Sequence, residues 1–230
     1  MTPRDQALLH FLSQFITDER KQRFEEVLHY RTRHITVVLE DIFQPHNASA
    51  VLRSCDLRGV QDVHIVENNN SYEVNPEVVM GSTKWLNLHY YNKVEFNTPE
   101  AFENLHEKGY RIVATCPHRE DFTPETLPLD KPVALVFGTE KQGLSDYVVD
   151  HADLHVCIPM FGFTESYNIS VSAALLLYTL TDRLHASTDI DWHLSEEEKD
   201  ELRLEWTRRT LTRIRQYERK FAALHPEFEH

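Results

Sequence analysis

The chain has 230 residues, of which 37 are acidic and 24 are Lys or Arg, so its formal net charge is −13. With 41% hydrophobic residues, it is large and apolar enough for one globular domain with appendages. No apolar run approaches the roughly 18 residues that a membrane span needs, and the first residues lack the apolar stretch of a signal peptide. We therefore expect a cytoplasmic protein with no membrane partner.

Cysteine usage agrees with that location. The chain has three cysteines, Cys55, Cys116 and Cys157, which are widely spaced and form no CxxC pair. An odd number at such spacing favours free thiols over a disulfide framework or a structural zinc site. None of the histidines or cysteines has the spacing of metal ligands, so we expect no metal.

Helical periodicity at the start of the chain predicts one or two helices over residues 3–31. Strand-like apolar runs and helical segments then alternate through the middle of the chain, which predicts a mostly parallel sheet with helices on both faces. The strand-like runs are 35–40, 60–67, 85–91, 110–116, 133–138 and 154–160. The helical segments between them are 47–58, 98–108 and 145–151.

Two further helices are predicted after residue 165. The first, SVSAALLLYTLTDRL, is apolar nearly all round, and we expect it to be buried. The second begins at the capping-box pattern Ser195-x-x-Glu198 and is basic and amphipathic to about Phe221. The fold class is thus α/β with helical extensions at both ends.

The charges are distributed unevenly along the chain. Residues 20–34 and 203–220 are locally basic, whereas residues 189–201 are acidic. Basic runs of this kind are commonly solvated helix faces, but they also occur as arms that follow the phosphates of a nucleic acid. Composition leaves both interpretations open.

Several common catalytic motifs are absent from the sequence. No GxGxxG follows the first strand, which disfavours an ordinary dinucleotide-dependent dehydrogenase. No GxxxxGK[ST], GxSxG or HExxH is present either. The chemistry must therefore come from other residues.

Three polar, glycine-containing loops follow predicted strands, at 44–59, 138–146 and 161–170. Ligands of open α/β sheets bind beyond the carboxyl ends of the strands, where these loops lie. In the first loop, Asn47 has the residue type of a helix N-cap and Arg53 that of a surface cation. In the third, Ser166 and Asn168 precede a helix and are also candidate caps. Taken singly, none of these residues indicates a function.

Taken together, the three loops resemble the signature motifs of the SPOUT superfamily of RNA methyltransferases. The motifs read PHNASAVLRSCDLRGV, LVFGTEKQGLSD and CIPMFGFTESYNISVSAALLLY, and the resemblance extends from about residue 23 to residue 184. Within the superfamily, the chain is most similar to the TrmH branch, the tRNA guanosine ribose 2′-O-methyltransferases. The resemblance implies a C-terminal trefoil knot, which chain topology rules alone would never predict.

The resemblance also implies domains, a cofactor and partners. It predicts an N-terminal RNA-binding extension at 1–34, a methyltransferase domain at 35–185 and a basic C-terminal extension at 186–230. The methyl donor is S-adenosyl-L-methionine, the product S-adenosyl-L-homocysteine, and the enzyme a homodimer. The substrate is tRNA, with the D-loop guanosine (Gm18) expected; alternatives are ribosomal RNA or, in a different class, an RNA-binding protein without turnover.

Site residues follow from the same motifs, position by position. Those implied at the catalytic centre are Asn47, Arg53, Glu140, Ser166 and Asn168. Those implied to contact the cofactor, mainly through backbone, are Thr115, Gly138, Ile158, Met160 and Tyr167. Those implied to bind RNA are Arg23, Lys84 in the GSTKW segment, and Arg183.

The chemistry itself constrains the role of Arg53. Methyl transfer to a ribose oxygen is an in-line displacement, so positioning should supply much of the rate. A guanidinium stays protonated in proteins and is an awkward general base. Arg53 is more easily understood as a bidentate clamp on a substrate phosphate, while another group accepts the proton.

Overall fold

A computed structural model describes residues 1–72, 81–117, 119, 121–139 and 142–228, without the side chain of Ser82. The chain divides into two compact units. One consists of residues 32–192, and the other combines residues 1–31 with 193–230. We predicted separate extensions at the two ends of the chain, but both ends belong to the same unit. Their predicted role in RNA binding stays a prediction.

The larger unit is built on a six-stranded sheet with strand order β3-β2-β1-β5-β4-β6, and every pair of neighbours is parallel. This confirms the predicted mostly parallel α/β sheet. Strands β1, β2 and β5 are buried along their whole length, because helices cover both faces of the sheet. The strands are β1 Ile35–Glu40, β2 Asp62–Val66, β3 Asn87–Tyr91, β4 Arg111–Thr115, β5 Val133–Phe137 and β6 Leu154–Val156.

Alternate residues of β1 face two different cores. Val37 and Leu39 belong to one cluster of buried side chains, and Val38 belongs to the other. Helices α3 (Pro45–Leu57) and α6 (Ile169–Ala186) close the first core, and α4 (Thr98–Glu107) and α5 (Asp146–His151) close the second. A short 3-10 helix spans Ser82–Lys84. Helices on both faces are therefore confirmed.

Two details of the first core differ from expectation. Helix α3 begins at Pro45 after Gln44, so Asn47 is not its N-cap but lies inside the first turn. Proline is favoured at this first position because its missing N–H would lack a helical partner anyway. Helix α6 is buried on one side only, since Val171, Leu175 and Tyr178 are exposed. The prediction that this helix is buried was wrong for the single chain, because one side of the helix is exposed to solvent.

The smaller unit is helical. It contains α1 (Pro3–Ser13), α2 (Asp18–Leu28), α7 (Glu196–Thr210), α8 (Ile214–Leu224) and a 3-10 turn at Pro226–Phe228. The capping box of Ser195 and Glu198 is confirmed. The predicted single helix to Phe221 is not confirmed, because the helix ends at Thr210 and a second one begins at Ile214. This interruption allows Leu204 of α7 and Phe221 of α8 to share one core with α1.

No helix in the part of the chain that the structure describes is long and apolar enough to cross a membrane. The three cysteines are free thiols, and Cys55 and Cys157 are buried.

A buried carboxylate in β2, that of Asp62, makes the free energy of unfolding depend on pH. Asp62 accepts hydrogen bonds from Arg33 Nε at 2.9 Å and His89 Nε2 at 2.8 Å. Burial alone raises the pKa of Asp62, but the bond from His89 and the charge of Arg33 more than offset it and bring the pKa to about 2. A depressed pKa adds stability above the ordinary carboxyl range, and that stability is lost as the pH falls towards 2.

We expect this carboxylate to contribute about 2 kcal/mol of the acid-induced loss of unfolding free energy. Urea unfolding of the wild type and of Asp62→Asn between pH 6 and pH 2.5 measures it. The variant should be less stable near neutrality and should lose less stability below about pH 4. Parallel pH profiles for the two proteins would contradict the assignment.

Candidate active site

The carboxyl ends of β4, β5 and β6 surround a cavity of about 400 Å³. Its walls come from the ends of the strands, from the loops that follow β5 and β6, and from the first turns of α6. This volume lies in the range of pockets that hold drug-sized ligands, about 300–1,000 Å³. The position is the one that an open parallel sheet offers to a ligand.

The cavity gathers residues that are far apart in sequence. All five residues predicted to contact the cofactor line it: Thr115, Gly138, Ile158, Met160 and Tyr167. Ser166, predicted for the catalytic centre, lines it as well. Their grouping is a structural fact, and their role towards a cofactor stays a prediction.

The wall formed by the loop after β5 is mostly backbone. Thr139 N donates to Gly143 O at 2.8 Å and Gly143 N donates to Thr139 O at 3.0 Å, so the loop closes on itself. A Cβ on Gly138 would lie 2.1 Å from Gly143 O, which no real contact allows. Gly143 has a φ of +74°, a conformation that favours glycine. Both glycines are therefore required by the shape of this wall.

The buried carboxylate of Glu40 holds the end of the same loop through Ser145. Glu40, at the end of β1, accepts hydrogen bonds from Ser145 N at 3.0 Å, from Ser145 Oγ at 2.8 Å and from Thr98 Oγ1 at 2.7 Å. It thereby ties the end of β1 to the start of α5 and the start of α4. Sequence reasoning missed Glu40, although a single acidic residue at the end of the apolar run ITVVLE was a visible signal.

The first and third loops meet through two asparagines. Asn168 Oδ1 accepts from Ser170 N at 2.8 Å and so caps α6, while Asn168 Nδ2 donates to Asn47 Oδ1 at 3.2 Å. Asn47 also donates to Gln44 Oε1 at 3.0 Å, and its side chain is almost fully buried. The candidate role of Asn168 as a cap is thus confirmed. The amide pair fixes the starts of α3 and α6 relative to each other.

The turn from β1 into α3 has a strained residue at its start. Asp41 adopts a φ of +57°, which is uncommon outside glycine. Its Oδ1 accepts from the backbone N–H groups of Asn68, Asn69 and Asn70 at 3.1, 2.7 and 2.7 Å. Burial alone raises the pKa of the Asp41 carboxyl, but these bonds and one from the Asn69 side chain lower it below its usual value. The carboxylate holds the turn that leads to Asn47 and Arg53.

Arg53 lies on the solvent side of α3. It lies six positions after Asn47, which places the two side chains about 120° apart around the helix. Asn47 accordingly faces α6, while Arg53 is exposed. Within the described residues its guanidinium has no hydrogen-bond or ion-pair partner, so it is available to a ligand.

The cavity has an unusual charge. Of the described residues that line it, only Glu165 is charged, and none is a cation. Cofactors rich in phosphate are normally met by Lys or Arg side chains, and none of the described lining residues is one. A cavity with one anion and neutral, partly apolar walls suits a ligand with net positive charge. S-adenosylmethionine, with its sulfonium centre, fits this donor set.

Residues 34–178 match the model of the SpoU rRNA Methylase family. That segment contains the cavity and all three loops. The chain belongs to this family. The predicted resemblance to RNA methyltransferases of the SPOUT superfamily is thereby confirmed, and the relatives that follow confirm the TrmH branch.

Relatives of this SpoU family member include two curated bacterial enzymes. A tRNA (guanosine(18)-2′-O)-methyltransferase of Borreliella burgdorferi is 47% identical over 87% of this chain and 89% of its own length. An enzyme of the same name from Thermus thermophilus is 38% identical over 70% of this chain and 81% of its own length. Among solved structures, the A. aeolicus TrmH/SpoU tRNA modifying enzyme superposes with a TM-score of 0.74 at 29% identity, covering 85% of this chain and 98% of that one.

The three residues of this SpoU-family chain that are predicted to bind RNA are not among those that line the cavity. Arg23 is exposed on α2 and contacts Glu26 at 3.1 Å. Lys84 is exposed, with its ammonium 5.2 Å from the centre of the Trp85 ring. The contact of both residues with RNA stays a prediction.

Arg183 is placed differently. Its two terminal nitrogens donate to Pro124 O at 2.6 Å and Leu127 O at 2.9 Å. This arrangement engages the guanidinium inside the domain, where it braces a loop, and gives no support to the RNA contact predicted for it. Glu140 lies outside the described residues, so its predicted role stays a prediction. Among the residues that are described, no group of three His, Cys, Asp or Glu is arranged around a metal site.

Proposed function

We propose that the protein methylates the ribose 2′-hydroxyl of guanosine 18 in the D-loop of tRNA, using S-adenosylmethionine. The observation that carries the proposal is the relative named for this reaction, which shares 47% identity over 87% of the chain. The match covers 200 residues, more than the sheet unit of residues 32–192 contains, so it extends into the helical unit. The charge and volume of the cavity support the cofactor.

The residues around the cavity divide the work. Gly138, Met160 and Tyr167 would hold the methyl donor against the strand ends, largely through backbone. When bound, S-adenosylmethionine supplies an electrophilic methyl group on a cationic sulfur. Ser166 stands at the same cavity and would orient the ribose by hydrogen bonds. Excluding water and holding the oxygen in line are then the main contributions of the protein.

The asparagine pair and Arg53 would hold the RNA side. Asn47 and Asn168 set the positions of α3 and α6, and Arg53 projects from α3 into solvent. A guanidinium there can clamp a phosphate next to the target nucleotide through two parallel hydrogen bonds. The phosphate or a neighbouring group then receives the ribose proton, because the arginine cannot.

Nucleoside mass spectrometry tests the proposal. Purified protein, labelled S-adenosylmethionine and transcribed tRNA should give 2′-O-methylguanosine, and nuclease mapping should place it at position 18. Ribosomal RNA in a parallel reaction tests the runner-up substrate. Label in ribosomal RNA alone would assign that substrate instead. Binding of tRNA and cofactor without product would leave only a non-catalytic RNA-binding role.

We also infer a trefoil knot and a cytoplasmic location. Strand β6 lies at the edge of the sheet, whereas α6 packs on α3, which follows the central strand β1. The segment between them must therefore cross the carboxyl ends of β4 and β5, as a knotted chain of the SPOUT kind requires. A tRNA substrate and three free cysteines support the cytoplasm.

The exposed side of α6 supports a homodimer. Val171 is 43% exposed, Leu175 41% and Tyr178 60%, and the three form one stripe at helical spacing. Such an apolar stripe on an otherwise acidic chain is typical of a surface that pairs with a second copy.

We expect Leu175→Glu to convert the dimer to a monomer, because it places a charge in the middle of the apolar contact. Sedimentation velocity measures the change. Leu224→Glu, at a residue 58% exposed in the helical unit, is the matched control and should stay dimeric. A wild type that sediments as a monomer would contradict the dimer outright.

A further inference from the structure

Glu165 is a charged side chain at the cavity to which the methyl-transfer reaction gives no role so far. It belongs to the loop between β6 and α6, next to Ser166, and it is exposed at the cavity wall. No hydrogen bond or ion pair engages its carboxylate within the described residues. Its charge is therefore unneutralised by the protein in the described part of the cavity.

The two cofactor species of the proposed reaction differ by one charge. S-adenosylmethionine carries a sulfonium, an ammonium and a carboxylate and has a net charge of +1. S-adenosylhomocysteine lacks the sulfonium charge and is neutral overall. The two molecules are otherwise nearly the same in shape and hydrogen-bonding groups. A site distinguishes them mainly through electrostatics, and neutral walls contribute little to that difference.

We propose that Glu165 selects the cationic methyl donor over the neutral product. The inference rests on the proposed function, because it concerns the cofactor of that reaction. The carboxylate lowers the free energy of the sulfonium form in the cavity and has little net effect on the neutral form. Once the methyl group has left, the attraction disappears, which favours exchange of product for fresh donor.

The size of the effect follows from the exposure of the side chain. Water and salt screen an exposed carboxylate, and exposed charge pairs contribute modestly. We therefore expect Glu165 to account for about a three- to fivefold preference for donor over product, rather than for the whole affinity. The preference should shrink as salt rises, because screening weakens it.

Isothermal titration of both cofactor species into three proteins tests this. The proteins are the wild type, Glu165→Gln and Glu103→Gln. The last removes the same charge from the exposed face of α4, away from the cavity, and serves as the matched control. Glutamine keeps the size and polarity of residue 165, so a loss of folding is not expected, and thermal unfolding checks it.

The expected result is specific. Glu165→Gln should weaken S-adenosylmethionine about three- to fivefold and change S-adenosylhomocysteine by less than about 1.5-fold, with Glu103→Gln like the wild type. Raising NaCl from 50 to 500 mM should lower the donor preference in the wild type more than in Glu165→Gln.

Two results would overturn the inference. If Glu165→Gln lowers the affinity for both species equally, the carboxylate interacts with the ammonium group that they share and not with the sulfonium. If neither affinity changes, Glu165 has no role in binding the cofactor. Both leave the proposed function intact. A wild type that binds neither species would instead remove the proposed function itself, so the two failures are distinguishable.

Discussion

Arg53→Ala is expected to lower methyl transfer to tRNA by about 10²- to 10³-fold, the cost typical of removing one hydrogen-bond donor that stabilises a transition state. The guanidinium is exposed on α3 and, within the described residues, has no protein partner. Alanine favours helix, so the fold should be unaffected. Single-turnover methylation with saturating tRNA and donor measures the loss. Donor affinity should stay within about twofold, because Arg53 is not among the residues that line the cavity.

A conservative variant distinguishes clamping from simple charge. Arg53→Lys keeps the charge but loses the two parallel donors of the guanidinium, so it should recover only a small part of the rate. Near-normal turnover by Arg53→Ala would refute the role of this residue. An equal loss of donor affinity would show that it acts on the cofactor instead.

The second large effect concerns the basic C-terminal run. Its α7 arginines are engaged: Arg203 with Glu25, Arg208 with Glu218 and Arg209 with Glu205. The cations in and beside α8 are exposed, and within the described residues no carboxylate lies within ion-pair distance of them. They are Arg213, Arg215, Arg219 and Lys220. Phosphate contacts from this run should therefore come from α8 and not from α7.

Arg215 and Arg219 lie one helical turn apart on the same side of α8. We expect the double variant Arg215→Gln/Arg219→Gln to weaken tRNA binding about tenfold at 50 mM salt. The slope of log affinity against log salt should fall by about 2. Filter binding across a salt series measures both quantities, and the rate at saturating tRNA should change little.

The matched control removes two charges from α7 instead. Arg208→Gln/Arg209→Gln has the same net charge, but its arginines are paired with Glu218 and Glu205. Because paired cations release few counterions on binding, this variant should lose little affinity. Equal losses in the two double variants would mean that net charge, and not the α8 surface, governs binding.

Local sequence predicted much of the larger unit. The run ITVVLE is β1 residue for residue, and the five other strands lie inside their predicted runs. Buried parallel strands are short, continuous and apolar, so each is visible without knowledge of its neighbours. The capping box at Ser195 was visible for the same reason, since its two partners are three residues apart.

Contacts between distant residues were beyond that reasoning. The Asn47–Asn168 hydrogen bond joins residues 121 positions apart, and Glu40 reaches Ser145 across 105. Neither follows from periodicity, because the first depends on α6 packing against α3 and the second on β1 and β5 being neighbours in the sheet. The exposure of the apolar stripe on α6 was not predicted. Sequence shows that these residues are apolar, but it does not show whether another part of the chain covers them.

By itself, the sequence determined the parallel α/β sheet, the three polar loops at strand ends and, through the motifs in those loops, the methyltransferase family. The tertiary structure decided which charges remain available. It paired the α7 arginines with carboxylates, engaged Arg183 with two backbone carbonyls, and left Arg53 and the α8 cations exposed to solvent. It also left Glu165 as the one charged residue among those described at the cavity. The physical reason is that secondary structure follows from local apolar patterns, whereas the availability of a charge depends on which distant groups the fold brings within hydrogen-bond reach.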